Sequence, residues 1–152
     1  MIQRDVAKSF LDDLDRELGS HADPARVAVR LIAARFKHYT WVGIYWLTDG
    51  ALVLGPYVGA ATEHTRIAIG QGVCGTAVAE RKNQVIQDVR QVTNYLACSL
   101  NTRAEIVVLI YSAGQIVGQI DADSDTVGAF DSTDEELLLA IAERLGRTIS
   151  SS

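Results

Sequence analysis

Cysteine is nearly absent from this chain: two residues in 152. That excludes a disulfide-built scaffold, and at this length a hydrophobic core needs no such staples. Proline is equally rare, at two residues, and there are no repeats or low-complexity linkers. No run approaches the roughly 18 apolar residues of a membrane span, and Met1-Ile2-Gln3-Arg4-Asp5 leads into no signal-like apolar core. A soluble, cytoplasmic protein is expected. Clustered basic charge is missing too: the formal net charge is -5, which argues against a nucleic-acid or anionic-membrane surface. His21, His38 and His64 show no triad order with a Ser or Cys, so a hydrolase has little support. Gly70-Gln71-Gly72-Val73-Cys74-Gly75 lacks the Lys-Ser/Thr of a phosphate loop.

What is present is ordinary globular usage, 48% hydrophobic and 22% charged, arranged in readable periods. Val6, Phe10, Leu11, Leu14 and Leu18 recur at helical spacing before Gly19. Asp23-Pro24 supplies an N-cap and first residue for a second helix. The pattern then becomes β. Thr40 to Leu47 and Ala51 to Tyr57 flank the turn signal Asp49-Gly50, and a short strand from Thr65 to Ile69 precedes a short helix from Val73 to Arg81. After a brief strand at Val85-Ile86, Asp88 to Asn101 has no strong period. A connection of that length inside a domain is more often functional than idle.

Ala104 to Tyr111 and Gln115 to Asp123 form a hairpin about Ala113-Gly114, and Asp131 caps a closing helix with Leu137, Leu138, Ile141, Leu145 and Ile149 as its apolar stripe. The order predicts one α+β domain over residues 1–152, with a central, mainly antiparallel sheet and the N- and C-terminal helices packed on one side.

The chemistry-bearing residues lie late in the chain. Cys74 enters the short helix, where it is either a small buried packing residue or a thiol facing helix-terminal amides. Cys98, in contrast, sits in the long connection, where a scaffold tends to place reactive groups. Alternation in the last strand puts Gln119, Asp121 and Asp123 on one face, and Glu105 begins the other arm of that hairpin. Acids beside a thiol suggest redox chemistry on a small cationic ligand. The three acids also have metal-ligand chemistry, but without a suitably spaced His they make only a weak metal signal, and no metal is expected. Trp41 and Tyr45 share a strand face and could wall a ligand or simply fill the core.

The segments Thr40-Trp41-Val42-Gly43-Ile44-Tyr45, Leu54-Gly55-Pro56-Tyr57, Gly70-Gln71-Gly72-Val73-Cys74-Gly75-Thr76-Ala77, Ala97-Cys98, Glu105-Ile106-Val107-Val108, Ile116-Val117-Gly118 and Asp121-Ala122-Asp123-Ser124 resemble, in order and nearly in spacing, the free methionine-(R)-sulfoxide reductases. Those enzymes are single GAF domains. The resemblance implies Cys98 as nucleophile, with Ala97, Trp41 and Tyr45 around the substrate. Glu105, Asp121 and Asp123 would hold the ammonium and help protonate the sulfoxide oxygen. It implies no cofactor, only an external thiol reductant such as a thioredoxin, glutaredoxin or glutathione system. The family's usual third cysteine is His64 here, and Tyr95 and Ser99 replace its usual His and Asp around the nucleophile. Recycling then falls to Cys74, acting as a resolving rather than a structural thiol, or to an outside thiol. Because Cys74 sits at the start of a packed helix, the outside thiol is the expected route. A homodimer is the expected assembly, and a non-catalytic GAF sensor of a small ligand is the competing function.

Overall fold

The computed structural model describes residues 1–19, 23–93, 95 and 101–150. Its elements are α1 (Arg4–Leu18), α2 (Pro24–Arg35), β1 (Trp41–Thr48), β2 (Ala51–Val58), β3 (Arg66–Ala68), α3 (Gly72–Glu80), β4 (Gln84–Ile86), a 3-10 turn (Val89–Gln91), β5 (Ala104–Ser112), β6 (Gln115–Ser124) and α4 (Ser132–Ser150). Six strands form one antiparallel sheet in the order β3-β2-β1-β6-β5-β4. The α+β expectation holds. Among the described residues, no helix is long and apolar enough to cross a membrane.

Local chemistry explains the main boundaries. Asp23 accepts a hydrogen bond from the Arg26 amide at 3.2 Å while Pro24 opens α2, so a preset φ and a satisfied end donor start the helix together. The β1–β2 and β5–β6 turns hold Asp49 and Gly50, and Ala113 and Gly114, at positive φ. Two consecutive left-handed residues give the twist a tight hairpin needs, which is why glycine ends each pair. Asp131 accepts from the Thr133 amide at 2.9 Å as α4 begins.

The sheet divides two apolar layers. On one side Phe10 and Leu14 of α1, Ile32 of α2 and Leu138 and Ile141 of α4 pack with Val42, Ile44, Ile106, Ile110 and Ile120. Each fully buried side chain of this kind contributes about 1.5–3 kcal/mol, so this layer dominates stability. The end helices therefore lie together, as their single-faced stripes predict. On the other side Trp41, Tyr45, Leu52, Val107 and Leu109 meet Ile67 and, from α3, Val73 and Cys74.

Helix α4 approaches β5 closely enough to forbid a side chain at one point. A Cβ on Gly146 would stand 2.0 Å from the Tyr111 carbonyl oxygen, a backbone atom with no rotamer to yield. Gly146→Ala is expected to destabilise by about 1–3 kcal/mol through overpacking, although alanine is the better helix former by about 1 kcal/mol. Urea unfolding measures the balance; a more stable variant would refute this account of the contact.

The segment Phe130-Asp131-Ser132-Thr133-Asp134-Glu135 is structural. Phe130 is fully buried, and the Asp134 carboxylate accepts from the Tyr39 hydroxyl at 2.9 Å and pairs with His38 Nε2 at 2.7 Å.

Candidate active site

Period-2 alternation places Ile120 and Ala122 of β6 in the helix-side core and turns Gln119, Asp121 and Asp123 to the other face. Registry with both neighbours builds a surface from that face. Asp123 stands opposite Trp41 on β1 and Glu105 on β5, and Asp121 opposite Gly43 and Val107. Glu105 is thus turned inward at the strand end, and the exposures of Glu105, Asp121 and Asp123 are 3%, 0% and 1%. Aspartate is uncommon in strands and costly to bury, so packing alone does not account for three such acids in a row.

Helix α3 closes over this face. Cys74 is its third residue, and the Gln119 side-chain amide donates to the Cys74 carbonyl at 3.0 Å, fixing the first turn to the sheet. Gly75 allows the approach from the other side, since a Cβ there would stand 2.4 Å from the Ala68 carbonyl oxygen. The Cys74 thiol donates to Glu105 Oε2 at 3.8 Å. Its Sγ and one oxygen each from Glu105 and Asp121 all lie within 4.8 Å of one another.

Between them is a cavity of about 10 Å³, lined also by Tyr45, His64, Ile67 and Val73. That volume suits about one water. A far larger recess, about 560 Å³, lies beside α1 and the start of α4, away from these acids. Chemistry favours the small cavity, which alone of the two holds buried titratable groups. Trp41 adds the rim. Its ring stacks on Tyr57 at 5.5 Å, lies 6.5 Å from the Tyr45 ring, and its Nε1 donates to the Ala60 carbonyl at 3.0 Å. The Tyr45 hydroxyl donates to the His64 carbonyl at 2.7 Å. These two bonds hold the β2–β3 connection to the sheet.

Burial comes first among the forces that push Glu105 well above the ordinary carboxylate range, followed by the charges of Asp121 and Asp123. Asp121 is also raised, by burial. Neither takes part in a salt bridge with the described residues. Neighbouring acids without a counter-cation retain a proton between them, and they attract a cationic ligand. One arrangement therefore offers both a proton donor and an ammonium site.

The GAF domain family matches residues 9–149. A free methionine-R-sulfoxide reductase of Escherichia coli (strain K12) is 38% identical over 120 residues, 79% of this chain and 72% of that one. The chain belongs to the free methionine-R-sulfoxide reductase family of GAF domains. A structure of the Neisseria meningitidis free methionine-R-sulfoxide reductase in complex with its substrate aligns with a TM-score of 0.89 at 31% identity, over 96% of this chain and 90% of that one. A type II free methionine-R-sulfoxide reductase from Thermoplasma acidophilum aligns at 0.80 and 32% identity, over 93% and 96%.

For this GAF domain the structure brings Tyr45, Glu105 and Asp121 to one cavity and sets Trp41 and Asp123 on the same face beside it. Ala97 and Cys98 lie outside the described residues. Cys74 lines the cavity as well as packing into the α3 core. Two contributors went unassigned in the sequence. Gln119 shares the aspartates' alternation, which was the available signal; His64 reaches the cavity through a loop that carries no period, and its signal was its place where the resemblance puts the third cysteine.

Proposed function

We propose that this chain reduces free L-methionine-(R)-sulfoxide to methionine, with Cys98 as the nucleophile. The observation that carries the reading is the buried face of Glu105, Asp121 and Asp123, where Glu105 and Asp121 have no salt-bridge partner among the described residues. An amino acid with free ends brings the cation those acids favour; a peptide-bound residue does not. Trp41 and Tyr45 supply an apolar wall for the methyl end.

In the first step the Cys98 thiolate attacks the sulfoxide sulfur, the oxygen takes a proton from the Glu105–Asp121 pair, and methionine leaves as the oxygen passes to Cys98 as a sulfenic acid. A thiol then attacks that sulfur and water leaves; a second thiol releases Cys98 from the mixed disulfide. The sum is sulfoxide plus two thiols giving methionine, one disulfide and water. We assign the thiols to an external reductant. Cys74 is buried and its thiol donates to a carboxyl, a setting that disfavours the attacking thiolate.

With dithiothreitol as reductant, the protein is expected to consume free L-methionine-(R)-sulfoxide and to leave the (S) epimer and peptide-bound sulfoxide largely untouched. Amino-acid chromatography of each reaction gives the answer. No turnover of the (R) epimer, alongside an active control reductase, would sink this reading and favour a ligand sensor.

A further inference from the structure

We propose that the cavity beneath α3 is a binding site for a single thiophilic divalent cation of the zinc type, held by Cys74 Sγ and the carboxylates of Glu105 and Asp121. Sequence spacing hides this set, because the sulfur joins two acids that are 31 and 47 positions further along the chain. The three donors come from α3, β5 and β6 and already have ligand atoms within 4.8 Å of one another. Zinc takes sulfur at about 2.3 Å and carboxylate oxygen at about 2.0–2.2 Å, so only a modest contraction around an ion is needed.

A second observation points the same way. Asp121 is 0% exposed and lines the cavity, and among the described residues its carboxylate meets only the other two members of the set, the Glu105 carboxyl and the Cys74 thiol. A buried acid pair of that kind is costly unless a shared proton or a cation joins it. The surroundings are rigid as well, since Gln119 holds the Cys74 carbonyl to the sheet and Asp121 sits on a central strand.

The donor set selects the ion. One thiolate with two carboxylates suits zinc, whereas magnesium and calcium require six or more oxygens. About 10 Å³ leaves room for one ion and at most one water completing its shell. Binding releases the thiol proton and the proton that Glu105 and Asp121 share, since zinc takes thiolate and carboxylate ligands. A zinc ion here would occupy the place assigned above to the substrate ammonium, so it would inhibit in competition with substrate. That consequence rests on the reductase reading; the metal site itself does not.

The test uses pre-reduced, thiol-free protein titrated with zinc chloride by calorimetry, and with cobalt(II) as a spectroscopic stand-in. One zinc per chain is expected, and cobalt should show a sulfur-to-metal charge-transfer band. The band should persist in Cys98→Ser and vanish in Cys74→Ser, with Cys74→Ala as a second variant to separate ligand loss from misfolding. Asp121→Asn should weaken zinc by at least about tenfold. A band that follows Cys98 instead, zinc affinity indifferent to Asp121→Asn, or no micromolar binding would overturn the proposal. Zinc bound through Cys74 in a protein without reductase turnover would leave the metal site standing and remove the reductase.

Discussion

Glu105→Gln is expected to make the protein more stable and far less active at once. The stability half follows from linkage. The folded-state pKa of Glu105 lies well above its ordinary 4.5, because burial and then the charges of Asp121 and Asp123 oppose ionisation. Stability contributed by the protonated group is complete below the unfolded value, about 4.5, and is lost as pH rises towards the folded one, since the unfolded chain gives up its proton first. Glutamine removes that loss. The variant should match the wild type near pH 4 and gain an advantage over it that grows as pH rises towards 8. Urea midpoints across this range provide the measurement. An advantage for the variant that grew as pH fell would contradict the assigned direction of the shift.

The activity half follows from the same proton. Under the proposed reaction, Glu105 and Asp121 deliver it to the sulfoxide oxygen, and glutamine cannot. A positioned acid contributes about 10²–10⁴-fold, and a loss of that size in kcat/KM is expected. Wild-type turnover in Glu105→Gln would move the acid role elsewhere in the cluster.

Cys98→Ser has the largest expected effect: complete loss of turnover, because a hydroxyl cannot take up the sulfoxide oxygen as a sulfenic acid that a thiol then reduces with loss of water. Cys74→Ser should keep most of its rate with dithiothreitol. Mass spectrometry after one equivalent of substrate without reductant should then find a single added oxygen on Cys98. Rapid, stoichiometric formation of a Cys74–Cys98 disulfide would make Cys74 the resolving residue, and such a bond requires the two Cα atoms to come within about 7 Å.

Much of the fold was legible because its signals are local. Asp49-Gly50 and Ala113-Gly114 marked both hairpins, Asp23-Pro24 marked a helix start, and alternation alone put Asp121 and Asp123 on a common face. Boundaries moved where tertiary pairing decided them; the strand expected over Thr65 to Ile69 contracts to Arg66–Ala68, the length that β2 pairs. The inward turn of Glu105 could not be read locally, since its position at a strand end permits either solvent or pocket. Registry with Asp123 settles it. The meeting of Cys74 with Glu105 and Gln119 was likewise invisible, because it depends on how α3 lies across the sheet and no periodicity encodes that.

The strand order has one further consequence. Asp121, Asp123 and Glu105 belong to β6 and β5, which are flanked on both edges, while the short β3 and β4 take the exposed borders. Border strands fray first and central ones exchange their amides only through large openings. Deuterium should therefore enter β3 and β4 long before β5 and β6. The groups most averse to water are stationed in the part of the molecule that water reaches last, so ordinary breathing at the periphery leaves their protonation undisturbed.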